Sequence, residues 1–431
     1  MSVATDIFEK ELESINELEG IQKVEDFHGL KVITAHSDSL LCQIRVKFGR
    51  GAHHDTIPGS HHAIEHMMFR GRNKALVEQM EFLGASMNAY TSKTSVLFVI
   101  SCVNDVARDV LHLASDMFNA KEFSIDSAQW EVERTTIQSE RTGYETSQNS
   151  IYWDTLTSIM FGDWRTVIGG KDDIDSLTPE ILMSDYDDMM SRYNTTVAIT
   201  CDMVQLRYNI TEFLQKLVAY LPVRGKSTMD LISMPMSIDK DTEHVVTNPY
   251  VNSNELGMAY IFDIEPGNVH FDAILTMLTI YLGGGLSSPV MKRLREQYGY
   301  VYETHAFIDR GTGQTSLLFN VNIDGQPVDK YKTEVENIIA ELTTSGLSED
   351  EFAKMINRTK YILGSRMSNS EDSITSILYW LDVNSDIVYP TSVYMDIARH
   401  ITLGEFNSVI QSLFTDHVQA KVVMSLLPET K

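Results

Sequence analysis

Two histidines flank a glutamate in His62-Ala63-Ile64-Glu65-His66, within a local excess: five of the chain's 13 histidines lie between His53 and His66. On a helix, residues four apart sit one turn apart on one face. His62 and His66 can therefore aim two imidazoles at one ion. Neutral imidazole is a good zinc ligand at about 2.0–2.1 Å. Glu65 follows His62 by three residues, so its carboxylate lies beside the same face. It can reach a water there without being a ligand. The order is H-x-x-E-H, the reverse of H-E-x-x-H, and both place a base beside two ligands.

Two imidazoles do not complete a site. A catalytic zinc usually takes three protein ligands and leaves one position for water. The third ligand is expected from a distant carboxylate, in the run Glu131 to Glu140. Glu133 and Glu140 are seven apart, two helical turns along one face. One of them can coordinate while the other supports the ligand shell. Zinc lowers the pKa of a bound water to about 7. Glu65 can take that proton as the water attacks a carbonyl carbon, then deliver a proton to the departing amine. These residue types suit amide hydrolysis. A merely solvated helix face would leave the adjacent histidines and the later glutamate pair unexplained.

The elements that must hold these residues read as mixed α and β. Residues 29–36, 40–48, 94–103 and 194–201 alternate or concentrate apolar residues as strands do. Residues 60–69, 106–117 and 127–139 carry helical spacing. Turn-forming residues after Leu221 mark a boundary. The expected division is 1–221, a linker at 222–241, and 242–431.

The second half repeats the first. Its helix 271–282 leads to a Tyr298-Gly299 turn and a strand at 300–307, as an earlier helix leads to Leu83-Gly84 and the strand carrying Asn88 and Ala89. The run from Ser124 to Thr135 resembles the run from Ser348 to Thr359, an offset of 224 positions, and Ser348 with Glu351 forms a capping box. Under that offset Glu133 meets Asn357 and Glu140 meets Gly364. The polar cluster therefore belongs to one copy only. A feature that the scaffold can omit points to function.

Composition excludes several classes. The chain has 431 residues, with 60 acidic and 35 basic side chains and a formal net charge of −25. Nucleic-acid binding needs clustered Lys and Arg, so it is disfavoured. Basic or neutral partners are favoured. No apolar run approaches the roughly 20 residues of a membrane helix. Cys42, Cys102 and Cys201 are odd in number and widely spaced, which disfavours a disulfide framework. The N-terminus lacks a signal-like pattern. A reducing, cytoplasmic setting is expected.

The stretch from Gly59 to Gly71 resembles the active-site helix of the pitrilysin/insulinase family of zinc metallopeptidases, the inverzincins. There H-x-x-E-H is followed about 75 residues later by a zinc-binding Glu. Glu140 lies 74 residues after His66, and Glu133 falls where the family has a second acid. Gly84-Ala-Ser-Met-Asn88-Ala89-Tyr-Thr91 is similar to the family strand that pairs with substrate. Gly283, Gly284 and Gly285 resemble its glycine loop. Arg295 and Tyr302 match an Arg/Tyr pair that serves the active site from the second domain. One departure is Lys93, where an acidic residue often stands; it bears on substrate recognition.

The resemblance covers about residues 25–425. It implies an α+β fold of two homologous domains, each a mostly antiparallel sheet with helices packed on one face. It implies one Zn2+ per chain, held by His62, His66 and Glu140, with Glu65 as base and a peptide as substrate. Short single-chain members, of the type related to mitochondrial processing peptidase, work as dimers. Arg295 and Tyr302 would then act in the partner's site. A homodimer is the simplest assembly, and a heterodimer with an inactive partner chain is the alternative. The rival functions are a non-catalytic assembly subunit and a metal-dependent hydrolase of another amide or ester.

Overall fold

The computed structural model describes residues 22–162, 166–224, 238–264, 267–283, 285–296, 299, 301–309, 315–323, 328–383 and 387–429. The linker expected at 222–241 falls largely outside them.

The first half contains β1 (Gln22–Lys23), β2 (Glu25–Phe27), β3 (Leu30–His36), β4 (Leu41–Phe48), α1 (Ser60–Met67), α2 (Arg72–Phe82), β5 (Ser86–Thr91) and β6 (Val96–Val103). Then follow α3 (Ala107–Met117), α4 (Ser127–Glu145), α5 (Gln148–Phe161), α6 (Lys171–Ser176), α7 (Pro179–Met189), β7 (Thr195–Cys201) and α8 (Met203–Tyr220). Its sheet runs β2-β3-β7-β4-β6-β5. Only β3 and β7 pair in parallel.

The second half contains β8 (Thr242–Asn248), β9 (Asn254–Phe262), α9 (Val269–Gly283), α10 (Pro289–Met291), β10 (Val301–Asp309), β11 (Thr315–Ile323), α11 (Val328–Ser345), α12 (Glu349–Met367) and α13 (Ser370–Val383). It closes with β12 (Ile387–Val388), α14 (Thr391–His400), α15 (Leu403–Asp416) and β13 (Val418–Pro428). Its sheet runs β8-β13-β9-β11-β10, again with one parallel pair, β13 with β8. That order matches β3-β7-β4-β6-β5. The duplication seen in the sequence is thus a duplication of topology.

Each sheet carries its own helices on one face, and alternation decides which residues they cover. Cys42, Ile44, Val46 and Phe48 of β4 join the core beneath the first-half helices. The opposite face of each sheet takes a helix from the other half. Tyr152, Leu156 and Met160 of α5 pack on Ala259, Ile261 and Val422 of the second sheet. A side chain at Gly257 would reach to 2.8 Å of the Tyr152 hydroxyl, so this strand position must be bare. Reciprocally, α13 lies on β4 and β7. It buries Gln43, Arg45 and Lys47, the residues that alternation points away from the first-half helices. The short pair β1 and β12 joins the halves a further time.

Candidate metal centre and active site

Helix α1 starts on a cramped corner. Gly59, its N-cap, has φ +92°, and a Cβ there would lie 2.4 Å from the Ile168 carbonyl oxygen. Glycine is the residue that tolerates both. The first N–H groups of a helix need acceptors from outside. Asp55 supplies them. It accepts from the Gly59 N–H at 2.7 Å, the His61 N–H at 3.0 Å and His61 Nδ1 at 2.6 Å. The Ser60 hydroxyl bridges Asp55 and Asp185, and Asp185 also accepts from the Thr56 N–H and hydroxyl. A carboxylate at a helix N-terminus also meets the favourable end of the dipole. Asp55, His61 and Asp185 form a buried group of metal-ligating type. Their carboxylate oxygens already receive protein donors, so they work as a clamp on the first turn of α1.

One turn on, His62 and His66 face the same side, with ring centroids 4.7 Å apart. Helix α4 passes over them and extends to Glu145, beyond the end at 139 expected from the sequence. Glu140 therefore sits on the same rigid helix as Glu133. Its oxygens lie 3.6 Å from His62 Nε2 and 3.3 Å from His66 Nε2. Ligand atoms of His62, His66 and Glu140 all fall within 4.8 Å of one another.

Buried Glu133 stands behind this triad. Its Oε1 is 2.8 Å from His66 Nδ1, and its Oε2 accepts from Arg70 Nε at 2.5 Å. Burial pushes the Glu133 carboxyl up, but the hydrogen bonds from Arg70 and His66 outweigh it and hold the group below the ordinary carboxylate range. The nearby His62 imidazole leads in holding Glu140 low as well. Because Glu133 is an acceptor, the His66 proton belongs on Nδ1. Nε2 is then a lone pair, and its 3.3 Å contact with Glu140 sets acceptor against acceptor. A cation between them resolves the conflict. Two imidazole nitrogens and a carboxylate are a donor set that suits zinc.

The triad opens into a cleft of about 770 Å3, lined by Glu65, Asn88, Ala89, Thr91 and Tyr144 among others. Glu65 is not one of the three grouped ligands. Its Oε2 accepts from the Thr91 hydroxyl at 2.7 Å, which fixes it at the mouth beside the edge strand β5.

The structure thus gathers His62, His66, Glu140, Glu133, Glu65, Asn88 and Ala89 around one cleft. It does not bring Arg295 or the glycine loop there, because the described lining comes from the first half alone. Arg295 is exposed on a short π-helix, Lys292–Glu296. Tyr302 is part of β10, and its side chain lies outside the described residues, as does Gly284. Gly283 has a local reason to be glycine: a Cβ there would lie 2.7 Å from the Ala306 nitrogen of β10. Sequence reasoning missed Arg70 and did not assign Thr91 a role. Arg70 follows His66 by four residues, so helical spacing could have found it.

The family model described as Insulinase (Peptidase family M16) matches residues 31–166. The model described as Peptidase M16 inactive domain matches residues 177–359. An uncharacterized zinc protease of Bacillus subtilis is 20% identical over 360 residues, covering 80% of this chain and 83% of that protein. Core protein I of the mitochondrial ubiquinol-cytochrome-c reductase complex of Euglena gracilis is 27% identical over 169 residues, 37% of this chain and 34% of that protein. The crystal structure of a Helicobacter pylori protease superimposes with a TM-score of 0.82 at 16% identity, covering 95% of this chain and all of that one. The Insulinase model covers the residues of the triad, and the inactive-domain model runs from the end of the first half into the second. The chain belongs to the insulinase, or pitrilysin, family of M16 peptidases.

Proposed function

We propose that this chain is a zinc-dependent endopeptidase acting on peptides or unfolded segments. The observation that carries this reading is the convergence of His62, His66 and Glu140 beside a carboxylate, Glu65, that is held but not coordinated. These three residues would hold zinc, which when bound polarises a peptide carbonyl and makes water more acidic. Glu65 takes the proton of the attacking water and returns it to the departing amine. Glu133 holds His66 in the tautomer that leaves Nε2 free.

The substrate is an extended strand. β5 ends its sheet, so its outer edge can accept a further strand by main-chain hydrogen bonds at Asn88 and Ala89. Selectivity for side chains is then loose. The charge of −25 favours basic peptides. Because the described cleft draws nothing from the second half, Gly283, Gly284, Gly285, Arg295 and Tyr302 act from a partner chain. The assembly is a homodimer with two sites. Three buried free thiols suit a reducing cytoplasm.

The match to a respiratory-complex core protein favours a second reading, an assembly subunit that keeps the fold. One experiment separates the two. Zinc content and cleavage of a fluorogenic peptide library are measured for the wild type and for Glu65→Gln. The peptidase reading expects equal zinc and a loss of turnover of at least about a hundredfold. A zinc-free wild type, or one inert toward every peptide, sinks it.

A further inference from the structure

The cleft between α1 and α4 has a counterpart in the second copy. α9 follows β9 as α1 follows β4, and α12 takes the place of α4. Where α9 ends and meets α12 there is a recess of about 600 Å3. Its chemistry is inverted. The first cleft presents Glu65, Glu133 and Glu140; this one presents Lys292, Lys354 and Arg358.

None of these cations forms a salt bridge among the described residues. Lys354 Nζ donates to the Ser287 carbonyl at 3.0 Å, and Arg358 lies 5.3 Å from the ring centre of Tyr361. Among the described residues, the recess is lined by one acid, Glu351. Its Oε2 is taken by the Ser348 N–H and hydroxyl, and its Oε1 by the Tyr281 hydroxyl. Three cations thus face one committed carboxylate, in a chain where acids outnumber bases 60 to 35. Lys354 and Arg358 also stand four apart on one helix, where like charges repel. The arrangement opposes both the overall charge and local electrostatics. An anion arriving between the cations would relieve it.

We propose that this recess binds an acidic peptide segment. A peptide fits better than a bare oxyanion because the cations are interleaved with apolar surface. Leu286 and Tyr361 are 70% and 67% exposed at the rim, and Met355 lies buried in the wall. Guanidinium and ammonium groups take the carboxylates, and the aromatic and aliphatic groups take the neighbouring side chains. Binding here is independent of whether the first cleft hydrolyses peptides.

The test uses the full chain carrying Glu65→Gln, so that no probe is cut. Calorimetry compares a short peptide alternating Glu and Phe with its Gln-for-Glu analogue and with inorganic phosphate. The acidic peptide is expected to bind at least about tenfold more tightly than the analogue, and Arg358→Gln or Lys354→Gln to weaken it about five- to tenfold each. Both side chains are exposed, so these variants keep the fold. Equal binding of the neutral analogue overturns the proposal. So does binding that neither variant changes, or phosphate binding as tight as the peptide's.

Discussion

Replacing Glu133 by Gln tests the support of the metal triad with almost no change of shape. Glu133 accepts from His66 Nδ1 on one oxygen and from Arg70 Nε on the other. Arg70 can only donate, so the amide oxygen of Gln must turn toward it. The amide NH2 then faces His66 Nδ1, which must become an acceptor. The imidazole proton moves to Nε2, the nitrogen that faces Glu140. A protonated Nε2 cannot ligate, so the ring must pay to return to the other tautomer whenever zinc binds. Loss of such a partner typically weakens metal affinity 10–100-fold, or about 1.4–2.7 kcal/mol. Zinc affinity is read by competition with a chromogenic chelator, and turnover in saturating zinc. The expectation is a Kd raised within that range, with much of the turnover restored by excess metal. A variant that binds zinc within twofold of the wild type refutes the tautomer argument. A variant with normal affinity but no turnover would instead place Glu133 in the chemistry.

The remaining expectations are simpler. Thr91→Val keeps the shape but removes the hydrogen bond to Glu65; kcat should fall about tenfold, with little change in KM, in line with about 1.5 kcal/mol for a hydrogen bond to a charged group. An unchanged kcat would mean that packing alone aims Glu65. Asp55→Ala strips acceptors from the Gly59 and His61 N–H groups and from His61 Nδ1, and urea unfolding should register a loss of about 3 kcal/mol. Burial, helped by the charge of Lys31, pushes the Lys47 ammonium down to about 8. The unfolded chain then holds more protons than the folded one between pH 8 and the ordinary lysine value, so stability rises with pH across that window, by about 3 kcal/mol. Lys47→Met should flatten that rise in the difference between the two unfolding curves; parallel curves would show that Lys47 does not titrate low.

Most of the site was legible because its spacing is helical. His62 and His66, then Glu133 and Glu140, sit at intervals that any straight helix turns to one side. The capping box of Ser348 and Glu351 is likewise present. The clamp was not legible. Asp55 and Asp185 are 130 positions apart and meet only because α7 packs against the start of α1. Nor was the exchange of α5 and α13, since periodicity shows that a helix has an apolar face but not which sheet receives it. The same holds for Gln43, Arg45 and Lys47 of β4, which alternation places on one face without showing that α13 buries it.

That exchange bears on why one copy can lack the triad and still be kept. The caps Asp126 and Ser348 lie 222 positions apart, not the 224 of the sequence match. By one register Glu133 faces Asn357 and Glu140 faces Gly364; by the other they face Met355 and Ile362. Neither register supplies a ligand pair, so that lack does not depend on the alignment. The scaffold role, in contrast, cannot be given up. Without α13, the first-half sheet would expose Gln43, Arg45 and Lys47 beside the apolar Ile33 and Ala198. Without the second sheet, Tyr152, Leu156 and Met160 of α5 would have nothing to pack against. α5 follows α4 after only two residues, so disorder in α5 would loosen the helix that carries Glu133 and Glu140. The second copy is therefore retained by packing, and its own cleft is free to change charge.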